Sequence, residues 1–248
     1  MGHGIELTVA DAARSNAAWC DAVCAAHGRP GERFDSHWLN HAAAPPRYPN
    51  LVTLSPAVAP AMAAVRALER AQPSASWAVK DSFAVLPLEQ AGFRVLFEAE
   101  WIARPAPTRR RSLGAGWFRV DSESALAEWE AAWGESVGQT RIFLPALLRR
   151  DDIAFLAALE GRGAIAAGVV ANRAGNTVGL SNFFARLDDA GLRRAECIDA
   201  AAEAFPGLPL VGYESGKELA ESRALGFASI GSLRVWVTES GRAREVAT

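Results

Sequence analysis

The chain has 248 residues, of which 50% are apolar and 22% are charged, and its formal net charge is −2. So large an apolar fraction with so little net charge excludes an intrinsically disordered protein. The lack of a basic excess argues against nucleic acid as a partner. At roughly 150 residues per domain, the length allows one large domain or two small ones.

The sequence indicates neither secretion nor membrane insertion. Residues 1–15 carry acidic side chains and lack the apolar core of a signal peptide. The apolar run near 164–171 is far shorter than the ~20 residues that a membrane helix needs. Three cysteines are too few for a disulfide framework. We therefore expect a cytoplasmic protein of bacterial type that contacts no membrane.

The first half of the chain is predicted to contain strands and two helices. The strands are expected at 4–9, 51–54, 77–79 and 94–102. The helices are expected at 16–27 and 57–70, where apolar residues recur at helical spacing. The stretch RPAPTRRRSLGAG that follows has two prolines and an arginine run, which is typical of a linker. The expected division is a domain at 1–104, a linker at 105–116 and a second domain at 117–248.

The second half is predicted to be longer, with more strands. Ser122 or Ser124 is a candidate N-cap for a helix that carries Leu126, Trp129 and Trp133. The remaining elements are, in chain order, strands at 116–120, 153–159, 164–172 and 177–184, a helix at 192–205, a strand at 209–213, a helix at 217–225 and a strand at 229–237. A short helix is expected at 144–150, before the second strand.

Short landmarks recur in the two halves at nearly constant spacing. An acidic residue followed by serine precedes a Gly-Phe pair, and a tryptophan with an aliphatic neighbour comes after it. The matched pairs are Asp81-Ser82 with Glu214-Ser215, Gly92-Phe93 with Gly226-Phe227, and Trp101-Ile102 with Trp236-Val237. A repeat on the scale of a domain predicts two copies of one fold.

The order of elements in the second half, β-α-α-β-β-β-α-β-α-β, resembles that of the GNAT superfamily of N-acetyltransferases. Its ending carries most of the resemblance: LVGYES, a helix, ALGF, and the final strand SLRVWV. The match covers 116–238, and the first half looks like a shortened copy. The resemblance implies an α+β fold with a mixed sheet, arranged as two tandem GNAT-like domains of which the N-terminal one is shortened.

The resemblance also implies acetyl-CoA, held between two splayed strands with its pyrophosphate at the N-terminus of the next helix. The family loop has Arg or Gln, two residues, Gly, any residue, then Gly or Ala. Here the stretch is RLDDAGLRR, with the glycine displaced and with Asp188 and Asp189 either capping the helix or facing the pyrophosphate. The residues implied as cofactor-binding are Phe183, Phe184, Ala185, Arg186, Gly191, Leu192, Arg193, Arg194 and Ser215.

Catalytic candidates follow from the same resemblance. Where the family often has a tyrosine acid, this chain has Ser222, whose hydroxyl is a far weaker acid than a phenol. Tyr213 is a candidate acid and Glu214 a candidate base for an amine, although strand alternation puts them on opposite faces. Asn182 is a candidate polar residue of the lining. Two hypotheses stay open: an N-acetyltransferase acting on a small amine with a degenerate pyrophosphate loop, or a catalytically inactive module for binding or dimerisation.

Other enzyme classes find little support. His37 and His41 stand four residues apart, but a zinc protease would show Glu after the first histidine, where Trp38 stands. We expect a loop at this place and no metal site. The sequence has no nucleophile elbow of the G-x-S-x-G type and no phosphate-binding loop of the Walker type. A homodimer is left open.

Overall fold

A computed structural model describes residues 7–72, 75–106, 116–134, 141–161, 163–186 and 190–238. Within these ranges the helices are α1 (Val9–Ala26), α2 (Val58–Ala71), α3 (Glu123–Trp133), α4 (Ala190–Ala204) and α5 (Gly216–Ala224). The strands are β1 (Glu32–Arg33), β2 (His37–Leu39), β3 (Leu51–Thr53), β4 (Ala78–Asp81), β5 (Phe93–Arg104), β6 (Trp117–Arg119), β7 (Ile153–Leu159), β8 (Ile165–Ala174), β9 (Thr177–Ala185), β10 (Leu210–Glu214) and β11 (Ala228–Thr238). Two 3-10 turns span Leu88–Ala91 and Pro145–Arg149.

All strands of the described residues join one mixed sheet, in the order β1-β2-β3-β4-β11-β5-β10-β9-β8-β7-β6. The last strand of the first half, β5, lies beside β10 of the second half, and the last strand of the second half, β11, lies beside β4 of the first half. Strand β5 pairs antiparallel with β10, and β11 pairs antiparallel with β4, while β5 and β11 pair with each other. The two halves therefore share a single continuous sheet. The linker at 105–116 stays a prediction, because residues 107–115 lie outside the described part of the chain.

The repeated landmarks occupy corresponding places in the sheet. Strands β3 and β4 pair in parallel, and so do β9 and β10. Gly92 and Gly226 both have positive φ angles, 76° and 88°, just before the strand that is exchanged. This left-handed conformation favours glycine. Trp101 and Trp236, one in each exchanged strand, are both fully buried.

Helices cover both faces of the sheet, as period-2 alternation along the strands requires. On one face α1 and α3 pack over a core that contains Val52, Trp101 and Phe155. On the other face α4 and α5 cover the second half, and α2 covers the first half. Leu51, the neighbour of Val52, points into the α2 core.

The largest correction to the predicted elements is at the N-terminus. The strand expected at 4–9 is wrong at its end, because α1 begins at Val9, and residues 1–6 are not described. Thr8 caps the helix: its side chain accepts from the backbone of Asp11, whose carboxylate accepts in turn from Thr8. His37 lies in strand β2 instead of the expected loop. None of the helices in the described ranges has the length and apolar character to span a membrane.

Candidate functional site

An opening lies between two neighbouring parallel strands of the second half. Within the described residues, β9 and β10 share two register pairs, Leu210 with Val178 and Val211 with Gly179. Beyond this point β9 runs on to Ala185 and β10 to Glu214 without further pairing to each other. The facing backbone groups of both strands need other partners. We call this opening the β9–β10 cleft.

A bulge in β9 marks one wall of the cleft. Gly168 of β8 pairs with Phe184, and Val170 pairs with Ser181, so two residues of β9 face one residue of β8. Asn182, inside the bulge, has a φ of 55°, which is uncommon for a residue other than glycine. Its side-chain oxygen accepts from Nε1 of Trp19 in α1, at 3.2 Å. The bulge thus turns the Asn182 side chain toward α1.

On the α1 face, polar side chains surround a small cavity at the closed end of the cleft. Its volume is about 10 Å³, and Ser15, Asn16, Asn172, Ser181 and Tyr213 are among the residues that line it. Among the described residues, Ser15 Oγ and Asn172 Oδ1 are buried without a hydrogen-bond partner. The space is about that of one water molecule.

A lysine from the first half reaches Tyr213 on this same face. Lys80 of β4 is buried, and its Nζ donates to Oδ1 of Asn16 at 2.9 Å. The same Nζ lies 4.2 Å from the centroid of the Tyr213 ring, a cation–π distance. Trp101 packs edge-on against the Tyr213 ring with centroids 5.5 Å apart. The first half therefore supplies both the cation and an aromatic neighbour to Tyr213.

On the opposite face, Arg194 of α4 spans the cleft. Its Nη1 donates to Oε1 of Glu214 at 2.6 Å, and its Nε lies 3.4 Å from Oε2 of Glu221 in α5. The guanidinium lies 4.4 Å above the Phe183 ring of β9. Burial raises the pKa of Glu214, and the positive charge of Arg194 opposes that shift. Tyr213 and Glu214 thus lie on opposite faces, in agreement with strand alternation.

The other two arginines implied as cofactor-binding also face carboxylates. Arg186 and Glu160 form an exposed pair at 2.8 Å, and Arg193 donates to Glu196 at 2.9 Å. A side chain at Gly191, in the first turn of α4, would meet nothing within 4 Å. Gly191 is therefore an exposed position of α4. The loop residues Asp188 and Asp189 lie outside the described ranges.

The remaining predicted residues are spread around the cleft. Leu192 is exposed in the first turn of α4, whereas Phe184 packs edge-on against Trp129 in the α1–α3 core. Ala185 pairs with β8, at the end of β9. Ser222 is buried in α5. Among the predicted site residues, Arg194 contacts both Glu214 and Phe183, whereas Tyr213 lies on the opposite face of the sheet.

A second, larger cavity adjoins Glu214. Ser215, at the N-cap of α5, lines it together with Glu214. Its volume is about 380 Å³, and Glu98, Glu100 and Arg234 of the exchanged strands also line it. The cavity therefore lies where the two halves meet, on the α5 face.

Sequence reasoning missed the contribution of the first half to this site. Lys80 contacts Tyr213, Trp19 donates to Asn182, and Asn16 accepts from Lys80, yet none of the three was predicted to belong to the site. The repeat held one usable signal, because Lys80 precedes Asp81-Ser82 as Tyr213 precedes Glu214-Ser215. In the described part of the chain, no group of three or more metal-ligating side chains is found, at His37 and His41 or elsewhere.

Comparisons with known proteins show similarity only to solved structures of the same fold. No protein-family model and no curated protein matches the chain. A GCN5-related N-acetyltransferase from Kribbella flavida is similar, with a TM-score of 0.57, 16% identity, and coverage of 96% of this chain and 97% of that one. A functionally unknown conserved protein from Staphylococcus epidermidis has a TM-score of 0.58 at 12% identity, covering 85% and 94%.

Saccharomyces cerevisiae N-myristoyltransferase, solved with bound myristoyl-CoA and inhibitors, is also similar. Its TM-score is 0.54 at 11% identity, and the match covers 76% of this chain and 58% of that one. These similarities concern the fold, which is an α+β architecture with a large mixed sheet. This chain has the fold of the GNAT superfamily, as its sequence order predicted.

Proposed function

We propose that the protein is an acyl-CoA-dependent N-acyltransferase, and that its acyl donor binds in the β9–β10 cleft. The observation that carries the proposal is the opening between two adjacent parallel strands, beside the bulge at Asn182, in a GNAT fold. Structures of similar fold include N-acetyltransferases and an N-myristoyltransferase with bound myristoyl-CoA. An acyl-CoA supplies an activated thioester, from which an amine can take the acyl group.

The cleft suits the amide-bearing arm of coenzyme A. The facing edges of β9 and β10 offer backbone donors and acceptors that no neighbouring strand uses beyond Gly179 and Val211. Helix α4 follows β9, and its first backbone N–H groups favour an anion such as pyrophosphate. Arg193 and Arg194 lie in the next positions of the helix. The similar structures that are described as acetyltransferases support acetyl-CoA as the donor.

Tyr213 and Glu214 lie on opposite faces of the sheet, so the proposal needs the thioester to lie in the opening between β9 and β10, where each residue approaches it from its own face. The acceptor nitrogen forms a bond to the acyl carbon, the carbon–sulfur bond breaks, and coenzyme A leaves as a thiol. Glu214 accepts the proton that the small amine must lose, a role that suits a carboxyl group whose pKa is raised by burial. Tyr213 donates the proton that the sulfur gains. Ser222 receives no role here, because it is buried in α5 and is a weak acid.

A second candidate is a binding or dimerisation module without catalysis. The observation that favours it is that Arg186, Arg193 and Arg194 each form an ion pair with a carboxylate of the protein. Such pairing leaves less positive charge for a pyrophosphate. The module would bind neither coenzyme A nor an acyl-CoA.

Two measurements test the enzyme proposal. Calorimetric titration with acetyl-CoA should give saturable binding, and a panel of small amines should release thiol from acetyl-CoA. The protein's own thiols should not interfere, because all three cysteines are buried, and burial raises the pKa of Cys24 to about 11 and those of Cys20 and Cys197 to about 12. No binding at millimolar acetyl-CoA would overturn the proposal.

A tyrosine pair provides the matched variants. Tyr213→Phe should lower turnover by about 100-fold and leave acetyl-CoA affinity unchanged, because it removes only the proton donor. Tyr48 is the other tyrosine of the chain, is buried, and packs against Trp19. Tyr48→Phe should keep full turnover. Equal losses in both variants would contradict the role of Tyr213.

A further inference from the structure

Among the predicted cofactor residues of the described ranges, Arg194 is the one whose contacts reach both strands of the β9–β10 cleft. It contacts Phe183 on one side of the cleft and Glu214 on the other, and its side chain is only 9% exposed. Side chains on a helix lean toward its N-terminus. The Arg194 side chain is therefore expected to lean toward the N-terminal end of α4, whose backbone N–H groups favour an anion.

The charges around Arg194 are unbalanced. One guanidinium faces two carboxylates, those of Glu214 and Glu221, and Glu221 has a further contact only with the exposed Lys217, at 3.4 Å, among the ion pairs of the described residues. Nε of Arg194 is buried and makes no hydrogen bond within the described ranges. Among the described residues, Nε is thus held only by its 3.4 Å ion pair with Glu221, and a phosphate that replaced a carboxylate could engage the guanidinium through two parallel hydrogen bonds.

We propose that Arg194 exchanges partners when the acyl donor binds, leaving Glu214 for the donor's pyrophosphate and so releasing the Glu214 carboxylate for the acceptor amine. The inference rests on the proposed function and extends it to the way in which Arg194 links the donor site to Glu214. In the free protein, Arg194 neutralises Glu214 and lies across the cleft. When the guanidinium turns to the pyrophosphate of the donor, Glu214 presents a free carboxylate to a cationic amine.

The proposal makes Glu214 and the pyrophosphate competitors for one guanidinium. Glu214→Gln should therefore bind coenzyme A more tightly, by about fivefold, since it removes a competing charged hydrogen bond. The same variant should lose turnover. A residue with a merely structural role would not tighten coenzyme A binding when it is replaced.

The control removes an equal charge from a different ion pair. Asp152 pairs with Arg150 at 2.7 Å just before β7 and lines neither cavity. Asp152→Asn should leave coenzyme A affinity within twofold of the wild type. Pantetheine, which lacks the pyrophosphate, is the second control, and its binding should not tighten in Glu214→Gln.

A double-mutant cycle separates exchange from simple removal of charge. In an Arg194→Gln background, Glu214→Gln should no longer tighten coenzyme A binding, because no guanidinium remains to be released. If Glu214→Gln does not fold by circular dichroism, Glu221→Gln replaces it and should tighten binding in the same direction. Equal coenzyme A affinity in the wild type, Glu214→Gln and Glu221→Gln would overturn the inference. Absence of coenzyme A binding in the wild type would instead overturn the proposed function.

Discussion

Each half of the sheet has a pair of neighbouring parallel strands, β3 with β4 and β9 with β10. Among the described residues, the strands separate at their ends in the second pair and stay joined in the first. Strands β3 and β4 share two parallel register pairs, as β9 and β10 do. In the first half, the backbone N–H of Ser82 then donates to Oγ1 of Thr53 at 2.7 Å and ties the two strands together. In the second half, β9 bulges at Asn182 and the strands separate.

The helices α2 and α4, which follow β3 and β9, also differ in the backbone donors that their first turns offer. Helix α2 has no side-chain cap at Ala57, and Pro60 in its first turn lacks an N–H donor. Helix α4 begins with Ala190 and Gly191, which keep theirs. In the described part of the chain, the second half of the sheet thus has an open cleft followed by a helix with free backbone donors, and the first half has neither. The first half still takes part, because Lys80 reaches Tyr213.

The carboxylates at corresponding positions should give the largest contrast. Glu214→Gln should lower the turnover of the folded protein about 100-fold or more, since a general base is lost. Asp81 is fully buried and accepts from the backbone of Leu86 and Phe83. Asp81→Asn should therefore cost about 1–3 kcal/mol of stability, and the folded fraction should keep its turnover. Urea unfolding and steady-state kinetics check both variants, and the reverse pattern would contradict the comparison.

Separating the ends of β3 and β4 should lower stability without changing the activity of the folded protein. Thr53→Val removes the acceptor of the Ser82 N–H, which is left buried and unpaired, at a cost of about 1–3 kcal/mol. Ser55 is the matched control, since its Oγ accepts a backbone N–H from Ala57 at an exposed site. Ser55→Ala should cost less than about 0.5 kcal/mol. Equal costs in urea unfolding would show that Thr53 does not join β3 to β4.

The two lysines of the chain offer a smaller and more specific test. Lys80→Met removes the cation that faces the Tyr213 ring and should lower turnover about tenfold, with coenzyme A affinity unchanged. Lys217 is 81% exposed and pairs with Glu221 at the surface. Lys217→Met should change turnover less than about twofold. If both variants retain full turnover, the first half does not assist Tyr213.

The smallest effect concerns pH. Burial raises the pKa values of Asp81 and Glu214 above their ordinary values. The folded protein therefore binds these protons more tightly than the unfolded chain does, and stability falls as pH rises from the ordinary values through the raised ones. Urea unfolding between pH 4 and 7 should show a shallower fall in Glu214→Gln than in the wild type. A steeper fall in the variant would contradict the sign.

Local patterns predicted most elements of the second half, because its helices and strands follow apolar periodicity closely. The strand predicted at the N-terminus was wrong, and the sequence contained the signal that would have corrected it. Leu7, Thr8 and Val9 resemble a strand in composition, but Thr8 followed by Asp11 is a capping pair. The exchange of β5 and β11 between the halves could not be predicted. Each strand buries the same apolar residues whether it pairs within its own half or with the other half.

The candidate site was predicted in its second-half residues and missed in its partners. Tyr213 and Glu214 were assigned to opposite faces from alternation alone, and the structure agrees. Arg194 was assigned to an anion, whereas its contacts with Glu214 and Glu221 depend on how α4 and α5 pack over β10. Contacts of this kind join residues that are distant in the sequence, so no local pattern reports them.

The exchanged strands bear on the order in which the chain is synthesised. When the ribosome has completed β5, the partners that flank it in the final sheet, β10 and β11, do not yet exist. Strand β4 likewise has no partner on that side until β11 has been made. Pairings between residues so far apart in sequence form slowly. The centre of the sheet is therefore completed only after β11 has left the ribosome, and a nascent chain that stops before β11 exposes unpaired strand edges that can associate with other chains.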